Sequence, residues 1–138
     1  MPMISVQIAG QPDGELAQKV QETVTHLTSE LLGKDPKVTA VVVEFIHPSF
    51  WFVAGKSAEA RRAAEFFVDV RITDGTNTKD EKARYVAETY AALSRLLGGA
   101  QSESYVHVND VRADGYGYGG LTQERRYIQG HSAPRTSA

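Results

Sequence analysis

Apolar and polar residues alternate over residues 4–8, where Ile4, Val6 and Ile8 are separated by Ser5 and Gln7. The alternation returns at 68–72, with Val68, Val70 and Ile72 against Asp69 and Arg71. A period of two predicts a half-buried strand in each place. Elsewhere the period lengthens. Leu16, Val20, Val24, Leu27 and Leu31 recur at three- and four-residue spacings, as do Ala83, Val86, Tyr90, Leu93 and Leu97. This spacing predicts two amphipathic helices. Asp13 is placed to cap the first and Gly33 to stop it. Thr78 and Glu81 fit a capping box for the second, which Gly98 ends. Valine-rich runs at 38–46 and 105–111 predict one more strand after each helix. An aromatic, glycine-ending stretch follows each run, FWFVAG at 50–55 and GYGYGG at 115–120.

Corresponding features lie 64 or 65 residues apart throughout, so the chain is a tandem repeat. Unit one spans 2–55 and unit two spans 66–120, within one domain of residues 1–127. Each unit reads β-α-β, and connections of this length make its two strands parallel. The expected fold is α/β (α+β), a four-stranded sheet with two helices on one face. Residues 56–65 read as a short helix or turn. The polar tail from 127, a flexible segment over 128–138 that contains Gly130 and Pro134, is expected to fray. Two helices cover only one face of the sheet. The other face carries Ser5, Gln7, Asp69 and Arg71, and the FWF segment adds apolar area, which implies a homo-oligomer.

Composition narrows the function. The 138 residues are 41% hydrophobic and 23% charged, enough for one domain with a real core. Fifteen basic against seventeen acidic side chains leave a formal charge of −2. That gives no field to draw nucleic acid or anionic lipid. Without cysteine there is no disulfide or thiol chemistry. His26, His47, His107 and His131 are scattered without ligand spacing, so no metal is expected. GYGYGG lacks the Lys-Ser/Thr of a phosphate loop, and no cofactor is expected. With no targeting or spanning segment, the chain reads as a soluble, cytoplasmic protein with a small-molecule substrate.

Pro2 stands directly ahead of the first strand. With Met1 attached its nitrogen is a tertiary amide without basicity. With Met1 removed it is a secondary amine held rigid by its ring. An α-amine has an ordinary pKa of about 8, and burial lowers it by disfavouring the ammonium. Near 7 such an amine suits a general base, which takes a proton α to a carbonyl and returns it at another atom. The neutral amine is also a nucleophile toward a carbonyl.

Met-Pro leading into a strand, two β-α-β units of this length, and the ADGYGYGG segment at 113–120 together resemble the tautomerase superfamily. That group includes 4-oxalocrotonate tautomerase, malonate semialdehyde decarboxylase and cis-3-chloroacrylic acid dehalogenase. The chain is most similar to the long or fused type, in which one polypeptide holds both units. The resemblance covers roughly residues 2–127. It implies a homotrimer, no cofactor, and Pro2 as the catalytic residue once Met1 is gone.

The resemblance fails at the charge-binding positions. Where the decarboxylases and dehalogenases carry paired arginines, this chain has TDGTNT at 73–78. Where 4-oxalocrotonate tautomerase carries an arginine, it has Tyr105 in unit two and Ala40 in unit one. Candidate replacements are Arg71, on the polar strand face, and Arg112, after the fourth strand. Arg71 reads first as an inter-subunit salt bridge; Arg112 reads equally as a solvated loop charge. His107 aligns with a tyrosine of the dehalogenases, or is a satisfied subunit-contact histidine. Tyr105 polarises a carbonyl or packs. Trp51 and Phe52, with Phe50, fall where the family places an aromatic that shields the base, and Tyr116 and Tyr118 match them in unit two. Trimer packing would use the same aromatics. His26 and Asp114 read as a surface residue and a turn former.

The leading reading is a cofactor-independent keto–enol tautomerase acting on an enol or keto acid, or on an aromatic enol. Alternatives are hydratase-, dehalogenase- or decarboxylase-type chemistry on an unsaturated or keto acid, with Asp114 as water activator in the hydratase case. A non-catalytic trimeric scaffold is the third.

Overall fold

The computed structural model describes residues 1–132, the last two as backbone only. In chain order the elements are β1 (Met3–Ala9), α1 (Gly14–Leu32), β2 (Ala40–Ile46), β3 (Phe52–Val53), β4 (Lys56–Ser57) and α2 (Ala58–Arg61). Then follow β5 (Phe66–Thr73), α3 (Lys79–Leu96), β6 (Tyr105–Val111), β7 (Gly117–Tyr118), β8 (Leu121–Thr122) and α4 (Gln123–Ser132). One sheet runs β2-β1-β5-β6. Within each unit the strands are parallel, β1 with β2 and β5 with β6. Between units β1 and β5 are antiparallel, Met3 opposite Arg71 and Ile8 opposite Phe66. Two two-stranded hairpins, β3-β4 and β7-β8, stand apart from it.

The alternation sorts as expected. Ile4, Val6, Ile8, Phe66, Val68, Val70 and Ile72 are buried against α1 and α3. The caps are also where the residues place them. The Asp13 side chain accepts from Leu16 N, Gly33 ends α1 at φ +69°, and Thr78 and Glu81 close a capping box. Gly119 and Gly120, with φ of +62° and +83°, make the β7-β8 turn, a two-residue loop needing two left-handed residues. Its counterpart in unit one, Ala54-Gly55, holds an alanine at φ +53°.

Two expectations change. The buried face of α3 is centred on Tyr85, Thr89, Ala92 and Leu93, while Ala83 and Val86 are exposed. Tyr85 can be buried because its hydroxyl lies 2.8 Å from Thr28 Oγ1, which also donates to Val24 O. A satisfied hydroxyl packs like an apolar group, and apolar spacing cannot show that. Second, the chain past 122 is helical rather than irregular. Helix α4 runs through Ser132, held by the Arg126 guanidinium over the Tyr118 ring and by its 2.7 Å bond to Tyr118 O. Residues 133–138 of the expected tail lie outside the described residues. Among the described residues no helix is long and apolar enough to cross a membrane.

The far face of the sheet is bare. Val42 is 51% and Tyr105 67% exposed on it. At the junction of the units, Glu65 is fully buried against Arg61, whose Nη1 is 2.6 Å from its Oε1. Arg61→Ala would strand that carboxylate, and should cost about 3–5 kcal/mol of folding free energy in a urea melt. A loss under 1 kcal/mol would show that the pair is dispensable.

Candidate active site

Pro2 is buried at the head of β1, and its carbonyl accepts from Ala40 N at 3.2 Å. Three segments converge there because β1 and β5 run antiparallel: the turn between α1 and β2, the end of β5, and the loop after β6. From the last of these Tyr116 reaches back, so that its hydroxyl meets both the Met1 carbonyl and, at 3.0 Å, the Arg71 carbonyl. Burial pushes the Tyr116 phenol up, against the backbone of Met3 and the Arg71 charge.

The chain-terminal ammonium sits in surroundings hostile to positive charge. Its pKa is lowered first by burial and then by the Lys34 cation, with Asp35 opposing. Lys34 follows the Gly33 cap of α1, and its Nζ donates to Thr76 Oγ1 at 2.7 Å. Thr76 belongs to the 73–78 loop, the segment without arginine, so a lysine from unit one reaches the loop of unit two. Burial lowers the Lys34 pKa, with Glu81 and Asp110 resisting. Residue spacing did not single out Lys34. A signal existed in the repeat itself, where Lys34 corresponds to Gly99 of unit two at the common offset of 65.

The remaining candidates divide in space. Arg71 is at the Pro2 end, with its Nη2 a loose 3.8 Å from Asp69 Oδ2. Arg112 and Asp114 form a fork, Nε to Oδ1 and Nη2 to Oδ2, both at 3.1 Å. The guanidinium holds the Asp114 carboxyl below its ordinary range, and Asp114 raises Arg112 in turn. A carboxylate held this way is a weak base for water. Tyr118 is engaged by Arg126 in α4. Trp51, Phe52, Tyr105 and His107 line a cleft of about 350 Å³ with Val53, Phe67 and Glu103. Tyr105 pairs with Phe67, and Phe67 with Gln7. Gln7 lies five residues along β1 from Pro2, about 17 Å at 3.4 Å per residue. Within one chain this cleft and Pro2 are therefore separate. A larger depression, about 1010 Å³, is also remote from Pro2, under the C-terminal end of β1.

A twofold-repeated β-α-β sheet with a buried proline at its head and cations near it is the arrangement to set beside known proteins. Residues 67–126 match the family model described as Tautomerase enzyme. The probable tautomerase K2 of Dickeya dadantii (strain 3937) is 31% identical over 65 residues, 45% of this chain and 94% of that protein. Among solved structures, a fused 4-OT wild type symmetric trimer superposes with a TM-score of 0.79 at 18% identity, over 90% of this chain and 98% of that one. A macrophage migration inhibitory factor-like protein from Entamoeba histolytica gives 0.72 at 16% identity, over 88% and 97%. The chain belongs to the tautomerase family and is an enzyme of the isomerase kind.

Because the Lys34 cation helps to depress the terminal ammonium, Lys34→Met should move the titration of the chain-terminal amine to higher pH. Nitrogen-15 NMR of the terminal residue reads this directly. An unchanged or lower midpoint would remove Lys34 from the site.

Proposed function

We propose that the protein is a cofactor-independent keto–enol tautomerase whose general base is the Pro2 nitrogen, freed by removal of Met1. The observation that supports this reading is the environment at the head of β1, which depresses the pKa of a cationic amine there. Once terminal, the Pro2 nitrogen lies in those surroundings, which favour its neutral form over that of an exposed amine. Its lone pair takes the hydroxyl proton of an enol, leaving an enolate. The enolate carbon then takes a proton from the prolinium, the C–H bond forms, and the carbonyl is restored. The reverse sequence enolises the ketone. No electrons are exchanged with a third party.

The enolate oxygen and any substrate carboxylate need positive charge in a dry site. Lys34 and Arg71 supply it in place of the absent loop arginines. A neighbour of this fold, Pt0534, is described as inactivated by 2-oxo-3-pentynoate, a 2-oxo acid, which supports a keto-acid substrate here. Several neighbours are trimers. A homotrimer would cover the bare sheet face, and would let the Trp51, Phe52, Tyr105 and His107 cleft of one copy approach the Pro2 of another. The fork that holds Asp114 weighs against the hydratase reading.

Pro2→Ala should lower kcat/KM for ketonisation of phenylenolpyruvate by about 10²–10⁴-fold, in material whose intact mass shows Met1 absent. Unchanged turnover would refute the assignment. In the wild type kcat/KM should rise with pH through a limb below about 8, the ordinary α-amine value, because the neutral amine is the active form. Lys34→Ala should raise KM about tenfold or more for an enol acid and leave a carboxylate-free enol little affected; equal effects on both would deny it a carboxylate-binding role.

A further inference from the structure

The Tyr116 hydroxyl meets two carbonyl oxygens, those of Met1 and Arg71, but has one proton to give. The Met1 oxygen is separated from the Pro2 nitrogen by the carbonyl carbon alone. When Met1 is removed, that oxygen leaves with it, and the hydroxyl remains beside the newly terminal nitrogen. Its proton then goes to the Arg71 carbonyl, which belongs to the β5 backbone and stays where it is. Of the two oxygen lone pairs, one takes the Met3 backbone N–H and the other is left for Pro2. From this geometry we infer that Tyr116 is the hydrogen-bond partner of the processed Pro2, its oxygen accepting from the prolinium N–H while its O–H donates to the Arg71 carbonyl. Pro2, Tyr116 and the β5 backbone thus form one chain of hydrogen bonds. The inference rests on the reading of Pro2 as a free amine.

Two consequences follow. The bond orients the protonated nitrogen, so that its other hydrogen faces the substrate when the proton is returned. It also favours the charged form and opposes the desolvation that depresses it. The charged groups around the nitrogen are Lys34, which acts against the ammonium, and Asp35, which favours it, both from the turn after α1. From β5 comes Arg71, loosely paired with Asp69. Tyr116 differs from all of these in being neutral and directly bonded. Its loss therefore acts on one atom without altering the charge of the site. Phe at this position would keep the wall and remove the relay.

The test uses full-length protein freed of Met1, confirmed by intact mass, with nitrogen-15 in proline. Tyr116→Phe should lower the Pro2 titration midpoint by about one pH unit, the size expected for losing a hydrogen bond to a charged group. The acidic limb of kcat/KM should move down with it. Incorporation of 3-fluorotyrosine at 116, which keeps the ring and hydroxyl but weakens the acceptor, should give a smaller shift in the same direction and covers the case of a phenylalanine variant that misfolds. An unchanged midpoint overturns the inference. A rise overturns it too, since it would mean that the hydroxyl donates to the neutral amine. The titration is read without turnover, so the two readings fail separately. A shift without enol turnover in the wild type supports the Tyr116 bond and defeats the tautomerase reading; turnover without a shift does the reverse.

Discussion

The antiparallel pairing of β1 with β5 organises the molecule. Each β-α-β unit closes with a parallel pair, but the units join head to tail, with Met3 opposite Arg71 and Ile8 opposite Phe66. The start of unit one therefore lies beside the end of β5 in unit two. That juxtaposition carries Arg71, the 73–78 loop and Tyr116 to Pro2, although they lie 69 or more residues away along the chain. The pairing persists because its buried side is continuous. Ile4, Val6 and Ile8 face the same helices as Phe66, Val68, Val70 and Ile72, and a slip of one residue would turn every one of them outward.

The two ends of the sheet correspond in the repeat but differ chemically. At the head of β1 the repeat has Pro2, Lys34 and Tyr116. At the head of β5 the matching positions hold Phe66, Gly99 and Trp51. Phe66 is inside the chain, and its amide donates to Ser104 Oγ at 3.1 Å, so no amine can be generated there. That end is an aromatic cleft with Tyr105 and His107. One end thus has polar groups arranged around a nitrogen, the other apolar area with nothing to protonate. Desolvation acts on both, but only at the first does it change an ionisation.

Legibility in the sequence followed the range of each interaction. Caps, strand alternation and the repeat were plain because each is a short-range pattern; Asp13, Thr78 with Glu81, and Gly33 act within four residues of themselves. The face of α3 was misread by about one residue because Tyr85 is buried through a hydroxyl contact with Thr28 of α1, and Thr89, one turn on, is buried beside it. The helix after 122 was missed because its stability comes from Arg126 on Tyr118, in a segment that is polar on its own. Pro2 could be singled out from the chain alone, because its candidate chemistry needs only its place beside Met1. Lys34 could not, because its importance lies in where α1 ends relative to a loop of the other unit.

The amino-acid order alone determined the periodicities, the duplication, the acidic balance, the absence of thiols and the position of a proline one residue from the start. These are properties of neighbours along the chain, and steric and hydrophobic rules act on them locally. Only the tertiary structure decided which cation reaches the amine, that Arg112 and Asp114 hold one another, that Trp51 and Tyr105 lie at the far end from Pro2, and that a tyrosine hydroxyl touches the first peptide bond. Each of those depends on packing between the two units, and electrostatic and hydrogen-bond energies are set by distances through space, which spacing along a chain does not encode.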